Sequence, residues 1–344
     1  MKDIMERSKI VRDKFDISSP QKMPLLYSGN GQMGGCVDMY GLMNTPFNHK
    51  GLWDTANTAI HHHEHWHRGR YGLDYFLPVA RFLWEEEPPA PLEYSQVHDL
   101  YNSSVKTKMT WHSVELSIES FYSLAHMDTY ATVISYRGDM GKIPGIMLSA
   151  ETDYIAPYKQ MINGNSEILN IMRDSASLKL SAGTACTGVF LRSISKSGDF
   201  EFKARNKSIL LNFSGCEGEH MILFSCGSFD RLDSIASETR AVDDIGKYRE
   251  EAFRLWHERL GTSYISFEDD NIQKLWCRSL YYVLCSYTNK PISPSAPTGW
   301  TGNGWGFNFP QDVSFIHPAL LRLGYFDIAK AIAEFYRSFI PEMK

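Results

Sequence analysis

Short runs that alternate apolar and polar residues fill residues 23–229. In WHSVELSIESFYS (residues 111–123), Val114, Leu116 and Ile118 alternate with polar neighbours. A period of two puts every second side chain on one face of a β-strand. The same pattern recurs in ATVISYRG, SLKLSAG, GVFLRSIS, FEFKAR, SILLNF and HMILFSCG, with turn-forming residues between the runs. Many short strands without an intervening helix predict a large antiparallel sheet protein, a sandwich or a barrel.

The period changes to that of a helix in the last third of the chain. Residues 242–260 (VDDIGKYREEAFRLWHERL) carry apolar side chains at helical spacing, which predicts an amphipathic helix. Residues 269–287 predict a second helix, capped by Asp269 or Asp270. This second segment is apolar on most sides, so we expect it to be buried.

Two more helices are predicted near the end of the sequence. The first covers about residues 311–323 and ends at Gly324, and the second covers about residues 326–339 and ends before Pro341. The segment KPISPSAPTGWTGNGWGFNFP (residues 290–310) precedes them and predicts a long loop rich in Pro, Gly and Trp.

These patterns divide the chain into three parts. We predict a β-sandwich domain over residues 1–229, a linker with a helix over residues 230–268, and the start of a helical domain over residues 269–344. The change of hydrophobic period, from two to that of a helix, sets the first boundary, and the start of the helix at Asp269 sets the second.

Composition narrows the class of protein. Hydrophobic residues make up 43% and charged residues 22% of the chain, which is typical of a soluble globular protein. A net charge of −5 without a basic run argues against a nucleic-acid partner or an anionic membrane surface. The N-terminus, MKDIMERSKIVRDKFD, lacks the apolar core of a signal peptide, and no segment is apolar enough to span a membrane. Six cysteines without a CxxC motif predict reduced, buried thiols and a cytoplasmic protein.

Three stretches carry a resemblance to a known family. FNFPQDVSFIHPALLRLGYFDIAKAIAEF (residues 307–335) looks like a glucoamylase segment in which Trp-Pro-Arg-Asp precedes a helix. MPLLYSGNGQMGGCVDMYG (residues 23–41) and HKGLWDT (residues 49–55) look like the opening of the fucosidase-type sandwich. Together with the predicted order of a β domain, a linker helix and further helices, they resemble the six-hairpin glycosidases. That family includes bacterial glucoamylases, maltose-type phosphorylases and inverting α-1,2-fucosidases. The resemblance implies an antiparallel β-supersandwich followed by an (α/α)6 barrel, which is incomplete in this chain.

The resemblance also implies a function and a site. We expect a glycoside hydrolase that cleaves oligosaccharides by an inverting acid/base mechanism and needs no cofactor. A glycoside phosphorylase, or a carbohydrate-binding or scaffolding β-sandwich protein without catalysis, stays open. Aromatic planes with amides and carboxylates bind the faces and hydroxyls of sugars. The predicted substrate-binding residues are Trp300, Trp305, Asn308, Gln311 and Asp312.

The resemblance also implies roles for the positions of Asp312 and Gln311. In the family, the aspartate that matches Asp312 binds sugar hydroxyls at the cleavage point and is not the proton donor. Gln311 replaces the family's arginine, so glucose specificity does not carry over. A purely structural alternative makes Asp312 a first-turn acid of a helix and makes a tryptophan of this loop a plug in the barrel mouth.

The run HHHEHWH (residues 61–67) is the second candidate site. Imidazole and carboxylate groups suit zinc or nickel, but ligands must converge from a fixed backbone. We predict a solvated or substrate-lining loop and no metal, with a metal site as the alternative. His317, within the third predicted helix, is expected to be packed or to bind a hydroxyl rather than to act as a base.

The length of the helical part suggests a longer protein. A barrel of about twelve helices needs about 200 residues, more than lie between Asp269 and Lys344. In the family, the general acid and base come from later hairpins. We therefore expect an N-terminal portion of a longer enzyme that is inactive alone. We also expect that part of the apolar surface of the helix 269–287 stays uncovered and causes self-association or pairing with the rest of the polypeptide. The residues that cannot all be covered are Leu275, Trp276, Leu280, Val283 and Leu284.

Overall fold

The computed structural model of this protein describes residues 2–16, 25–44, 58–68, 74–150, 153–156, 160–296, 299–300 and 310–343. In chain order its strands are β1 (Ile10–Arg12), β2 (Leu26–Gly29), β3 (Met33–Val37), β4 (Ile60–Arg68), β5 (Asp74–Trp84), β6 (Glu93–Asp99), β7 (Ser104–Thr110), β8 (Val114–Tyr122), β9 (Thr129–Gly138), β10 (Ile146–Ala150), β11 (Asp153–Ala156), β12 (Gln160–Ile171), β13 (Ser175–Ala182), β14 (Ala185–Arg205) and β15 (Ser208–Ser228). Its helices are α1 (Lys2–Glu6), α2 (Leu232–Arg240), α3 (Ile245–Gly261), α4 (Asp270–Ser286), α5 (Pro310–Arg322) and α6 (Phe326–Ser338).

The predicted organisation of a β part followed by helices is confirmed. Every pairing between the described strands is antiparallel. The main path of the sheet runs β1-β6-β7-β8-β9-β15-β10-β5-β4-β3-β2, and β14, β13, β12 and β11 branch from β15. Strands from different parts of this path meet across one core, since the ring of Phe82 on β5 lies 5.8 Å from Tyr130 on β9 and 6.1 Å from Phe224 on β15. The sheet is therefore curled around its own apolar face.

Two long strands join the parts of the sheet. The runs GVFLRSIS and FEFKAR both belong to β14, and SILLNF and HMILFSCG both belong to β15. The first part of β15 pairs with β10 and its last part pairs with β9, while β14 follows both parts. The layers of the predicted sandwich thus belong to one hydrogen-bonded path. A long strand can serve both layers because register shifts between Ser195 and Asp199 bend β14.

The helical segments begin and end close to the predicted positions. Asp269 caps α4, since its side chain accepts hydrogen bonds from the backbone N–H groups of Asn271 and Ile272 at 2.8 and 3.0 Å. Gly324 follows α5 with a φ of +81°, a conformation that glycine adopts without strain. Helix α2 was missed, since its nine residues were assigned to the linker. The domain boundaries themselves stay a prediction.

Helices α3 to α6 pack on a second apolar core beside the sheet. Trp256, Tyr281 and Leu284 are fully buried in it. Helix α4 is buried on most sides but not on one face, where Ile272 is 50% and Leu275 is 68% exposed. Leu275 is one of the residues that were predicted to stay uncovered. Within the described residues no helix is long and apolar enough to cross a membrane.

The cysteines are free, as predicted, but not all are buried. Cys36, Cys226, Cys277 and Cys285 lie in the interior, whereas Cys186 and Cys216 are exposed. Both exposed thiols lie on the long strands β14 and β15. The prediction of uniformly buried thiols is therefore corrected for this pair.

Candidate functional site

The histidine run lies in strand β4, so the prediction of a loop there was wrong. His61 pairs with Pro78 of β5, and Trp66 pairs with Phe76. Between these two pairs β4 has four residues and β5 has one, so β4 contains three extra residues. We call residues 62–65 the β4 bulge. Bulges turn side chains away from the regular alternation of a strand and are common beside active sites.

Two histidines of the run are structural. His61 Nδ1 lies 3.1 Å from the carbonyl oxygen of Ala59, and His65 Nδ1 lies 2.6 Å from the Thr187 hydroxyl. Both side chains are buried, and burial lowers the pKa of His61 to about 4 and that of His65 to about 3. They are therefore neutral near pH 7, and this explains how histidines can occupy the interior of a sheet.

His62 is fixed in one tautomer by its two neighbours. The backbone N–H of Glu64 donates to His62 Nδ1 at 3.2 Å, so this nitrogen carries the lone pair. The proton is then on Nε2, which donates to Asp128 Oδ1 at 2.9 Å. Asp128 directly precedes β9, so this contact ties β4 to a distant part of the sheet.

Asp128 accepts from two further side chains. Gln32, in the β2–β3 turn, donates its amide to Asp128 Oδ1, and Arg231 donates to Asp128 Oδ2 at 2.6 Å. Arg231 also donates to Glu64 Oε1 at 2.8 Å, and Glu64 Oε2 accepts the backbone N–H of Ser228 at 2.7 Å. We call Gln32, His62, His63, Glu64, Asp128 and Arg231 the Asp128 cluster.

The electrostatics of the Asp128 cluster keep its acid ionised. Burial opposes ionisation of Asp128, but the hydrogen bonds from His62 and Arg231 and the positive charge of Arg231 outweigh it and hold the Asp128 pKa far below its usual range. Burial would lower the pKa of Arg231, yet the two carboxylates raise it. For His63, burial lowers the pKa, and His62, Arg231 and Lys290 lower it further against the attraction of Asp128. His63 is therefore neutral near pH 7.

One subset of the Asp128 cluster has the chemistry of metal ligands. His62, His63 and Asp128 each offer one ligand atom, and these atoms lie within 4.8 Å of one another. Two imidazoles and a carboxylate form a donor set that suits zinc and similar divalent metals. The local sequence pointed to His62 and His63 through the histidine run, but it gave no signal for Asp128.

The Asp128 cluster lies where the sheet meets the helical part. Lys290, four residues after α4, donates to Gln32 Oε1 at 3.1 Å. The backbone N–H of Gly31 donates to the carbonyl oxygen of Cys285, the penultimate residue of α4, at 2.8 Å. Gly31 has a φ of +89°, and a Cβ there would lie 2.3 Å from the carbonyl oxygen of Tyr287. Only glycine allows this close approach of turn and helix end.

The predicted substrate site has a mixed outcome. Trp300 is 1% exposed, with its ring edge-on to Phe76 at a centroid distance of 5.0 Å. Its backbone N–H donates to the Tyr27 hydroxyl at 3.2 Å. This burial agrees with the alternative in which a tryptophan of the loop is a packing plug, and a sugar-binding role for Trp300 stays a prediction. Trp305 and Asn308 lie outside the described residues.

Gln311 and Asp312 lie in the first turn of α5, where a carboxylate interacts favourably with the helix dipole. Gln311 is exposed and Asp312 is half-buried. Tyr287, near the N-terminus of α5, has a pKa raised to about 12, by burial first and then by the charges of Tyr336 and Asp312. His317 Nε2 lies 3.1 Å from the Ala329 carbonyl oxygen on α6, which supports the prediction that this histidine is packed.

Comparison with known proteins gives a likeness of fold. No family model matches the chain, and no curated protein matches it. A solved structure from the human microbiome, provisionally named a kojibiose phosphorylase, aligns with 96% of this chain and 48% of its own at a TM-score of 0.69 and 12% identity. The chain thus spans about half the length of that structure, and its fold is that of the aligned half. The predicted resemblance to six-hairpin glycosidases is confirmed at the level of the fold.

Two other solved structures align more loosely. An inverting mannosidase of family GH92 from Bacteroides thetaiotaomicron covers 87% of this chain and 43% of its own, at a TM-score of 0.45 and 10% identity. A bacterial glucoamylase in complex with acarbose covers 94% of this chain and 52% of its own, at a TM-score of 0.43 and 12% identity.

Proposed function

We propose that this chain is the N-terminal part of a carbohydrate-active enzyme, a glycoside hydrolase that cleaves oligosaccharides by an inverting acid/base mechanism. The observation that carries the proposal is the likeness of fold over 96% of the chain to a protein provisionally named a kojibiose phosphorylase. A phosphorylase is the alternative within the same site, with phosphate attacking in place of water.

Asp312 is the residue that we propose to bind substrate. It lies at the end of the aromatic segment and in the first turn of α5, so its carboxylate is held by a helix rather than by a loop. A carboxylate with two acceptor oxygens can bind a pair of neighbouring sugar hydroxyls. Gln311 precedes it with an exposed amide that offers both a donor and an acceptor. Trp305 and Asn308 complete the proposed site.

Binding of saccharides to the 344-residue chain tests this assignment. We expect saturable binding of at least one oligosaccharide from a panel of different sugars and linkages, measured by titration calorimetry. This binding should weaken at least tenfold in Asp312→Asn. Asp327→Asn is the matched control because Asp327 is also a first-turn acid, on α6, and is exposed. Equal binding by Asp312→Asn and the unchanged chain would contradict the role of Asp312. Failure of every saccharide in a panel to bind would contradict the proposed function.

Turnover separates the chemical alternatives. The general acid and base are expected outside this chain, so we predict that residues 1–344 alone release no aryl group from aryl glycosides. Dose-dependent release that is abolished by changing one carboxylate of this chain would contradict that expectation. If turnover occurs, release of free sugar without phosphate indicates a hydrolase, and a sugar phosphate formed only with added phosphate indicates a phosphorylase.

A further inference from the structure

His63 is the member of the Asp128 cluster without a hydrogen-bonding role for its ring. Its imidazole lies 4.7 Å, between ring centroids, from that of His62. Its backbone N–H donates to the Gln32 carbonyl oxygen at 3.0 Å, which fixes the chain at this point of the bulge. Among the described residues its ring makes no hydrogen bond, although it is half-buried beside Asp128 and Arg231. The bulge thus holds the neutral His63 imidazole next to charged side chains, and this ring has no hydrogen-bond partner among the described residues.

The spacing of the three donor atoms suits a metal ion. With metal–ligand bonds of about 2.0–2.1 Å, the ligand atoms of a tetrahedral site lie about 3.3 Å apart. His62 Nε2 and Asp128 Oδ1 are 2.9 Å apart, and the His63 donor lies within 4.8 Å of both. The His62 and Asp128 atoms would separate slightly, and the half-exposed ring of His63 would turn inward. Rotation of side chains is enough for this adjustment, because the bulge already fixes the backbone.

The surroundings provide an outer shell for such an ion. Gln32 and Arg231 both donate to Asp128, and they would keep its carboxylate oriented when one oxygen turns to a metal. Glu64 and Asp128 supply two negative charges against the one positive charge of Arg231, and water screens the second positive charge, that of Lys290, which also acts on His63. Lys290 is exposed and donates to the Gln32 oxygen rather than to a carboxylate.

Binding at His62 requires one rearrangement of protons. The proton on Nε2 must leave that nitrogen, and Nδ1 must take one, so that the ring stays neutral while the Nε2 lone pair binds the metal. The Glu64 N–H then loses its acceptor at Nδ1, a contact of 3.2 Å that is the longest hydrogen bond made by the His62 ring. Asp128 exchanges the His62 hydrogen bond for a metal bond.

The geometry points to a site for a divalent transition metal of the zinc type, held by His62, His63 and Asp128 at the β4 bulge. Three protein ligands leave a fourth position open for water, because a tetrahedral ion takes four. Calcium and magnesium prefer oxygen ligands, so a site with two imidazoles discriminates against them. The site is independent of the proposed sugar site at Asp312.

Metal titration of chelator-stripped protein without an affinity tag tests the proposal. We expect one equivalent of Zn2+ in calorimetry, four-coordinate visible absorption with Co2+, and no binding of Ca2+. His63→Ala should weaken Zn2+ binding at least tenfold without unfolding the protein, since the His63 ring makes no hydrogen bond to the described residues. His112→Ala is the matched control, because His112 is exposed in the β7–β8 turn, outside the cluster.

Three outcomes would overturn the proposal. The first is the absence of saturable Zn2+ binding at millimolar concentration, and the second is equal affinity in His63→Ala and the unchanged protein. The third is binding of Ca2+ as tight as that of Zn2+, which would indicate an oxygen site elsewhere. His62→Asn provides a second variant in case His63→Ala alters the fold, and it too should bind Zn2+ at least tenfold more weakly.

Discussion

Replacing Asp128 by asparagine probes the centre of the Asp128 cluster with almost no change of shape. Three side chains donate to this carboxylate, namely His62, Gln32 and Arg231. A carboxylate presents acceptors on both oxygens, whereas an amide presents one acceptor and one donor. In either orientation the new NH2 group of Asp128→Asn therefore faces at least one donor.

The magnitude follows from the bonds that are lost. A hydrogen bond to a charged group contributes about 1.5–3 kcal/mol. Asp128 is 13% exposed, but Arg231 is 37% exposed, so water can solvate the freed guanidinium and reduces the loss. Arg231 also keeps its contact with Glu64 at 2.8 Å. We therefore expect Asp128→Asn to lower the free energy of unfolding by about 2–3 kcal/mol.

The effect should depend on pH in a defined direction. The folded state holds the Asp128 pKa below its unfolded value of about 3.9, so the stabilisation is fully present above that value. As the pH falls through the folded pKa, the carboxyl takes up a proton and the stabilisation is lost. The difference in stability between the two proteins should therefore be constant from about pH 7 to pH 5 and shrink at lower pH.

Thermal and denaturant unfolding with a chelator present measure this difference without any contribution from bound metal. At about 2.1 cal/mol/K per residue, a loss of about 2–3 kcal/mol corresponds to a fall in Tm of about 3–4 °C for a chain of this size. Asp199→Asn is the matched control, since Asp199 also pairs with an arginine, at 3.0 Å, but is 74% exposed. We expect the control to change stability by less than about 0.5 kcal/mol. Equal stability of Asp128→Asn and the unchanged protein, or a difference that persists at acidic pH, would refute the reasoning.

Three further predictions concern the junction of the sheet with the helices. Gly31→Ala should destabilise the protein more than Gly215→Ala in urea unfolding. Both glycines have a positive φ, but a Cβ at Gly31 would lie 2.3 Å from the Tyr287 oxygen, whereas a Cβ at Gly215 would lie 3.9 Å from its nearest neighbour, the Glu217 oxygen. The reverse order would contradict the docking of the turn on α4. Trp256→Ala should lower the free energy of unfolding by about 3–5 kcal/mol, because Trp256 is fully buried. Leu275→Ala should change it by less than about 0.5 kcal/mol, because Leu275 is 68% exposed. Similar losses of stability in the two variants would mean that the core is wrongly identified. Exposed apolar side chains of α4, α5 and α6, such as Leu275, Phe315 and Phe326, should make the chain self-associate. A monodisperse monomer at micromolar concentration in sedimentation would contradict this.

Local signals in the sequence determined the elements themselves. Period-two runs such as the one around Leu116 predicted strands because alternation records directly which side chains face a core. The helices were placed to within a few residues, since Asp269 as a cap and Gly324 as a terminator act within one turn of the chain. The order of a sheet part before a helical part needed no tertiary information, since each segment carries its own period.

Only the tertiary structure decided where the polar groups meet. The histidine run does not alternate by residue type, so β4 was predicted as a loop. His62 and His65 are nevertheless buried, because their partners Asp128 and Thr187 come from distant parts of the sheet. Trp300 was predicted to bind substrate, with packing as the alternative, and it is buried because Phe76 and the β2–β3 hairpin close around it. Asp128 carries no local signal at all. Its role depends on three side chains that the fold brings together, and contacts at such separations leave no periodic trace in a single sequence.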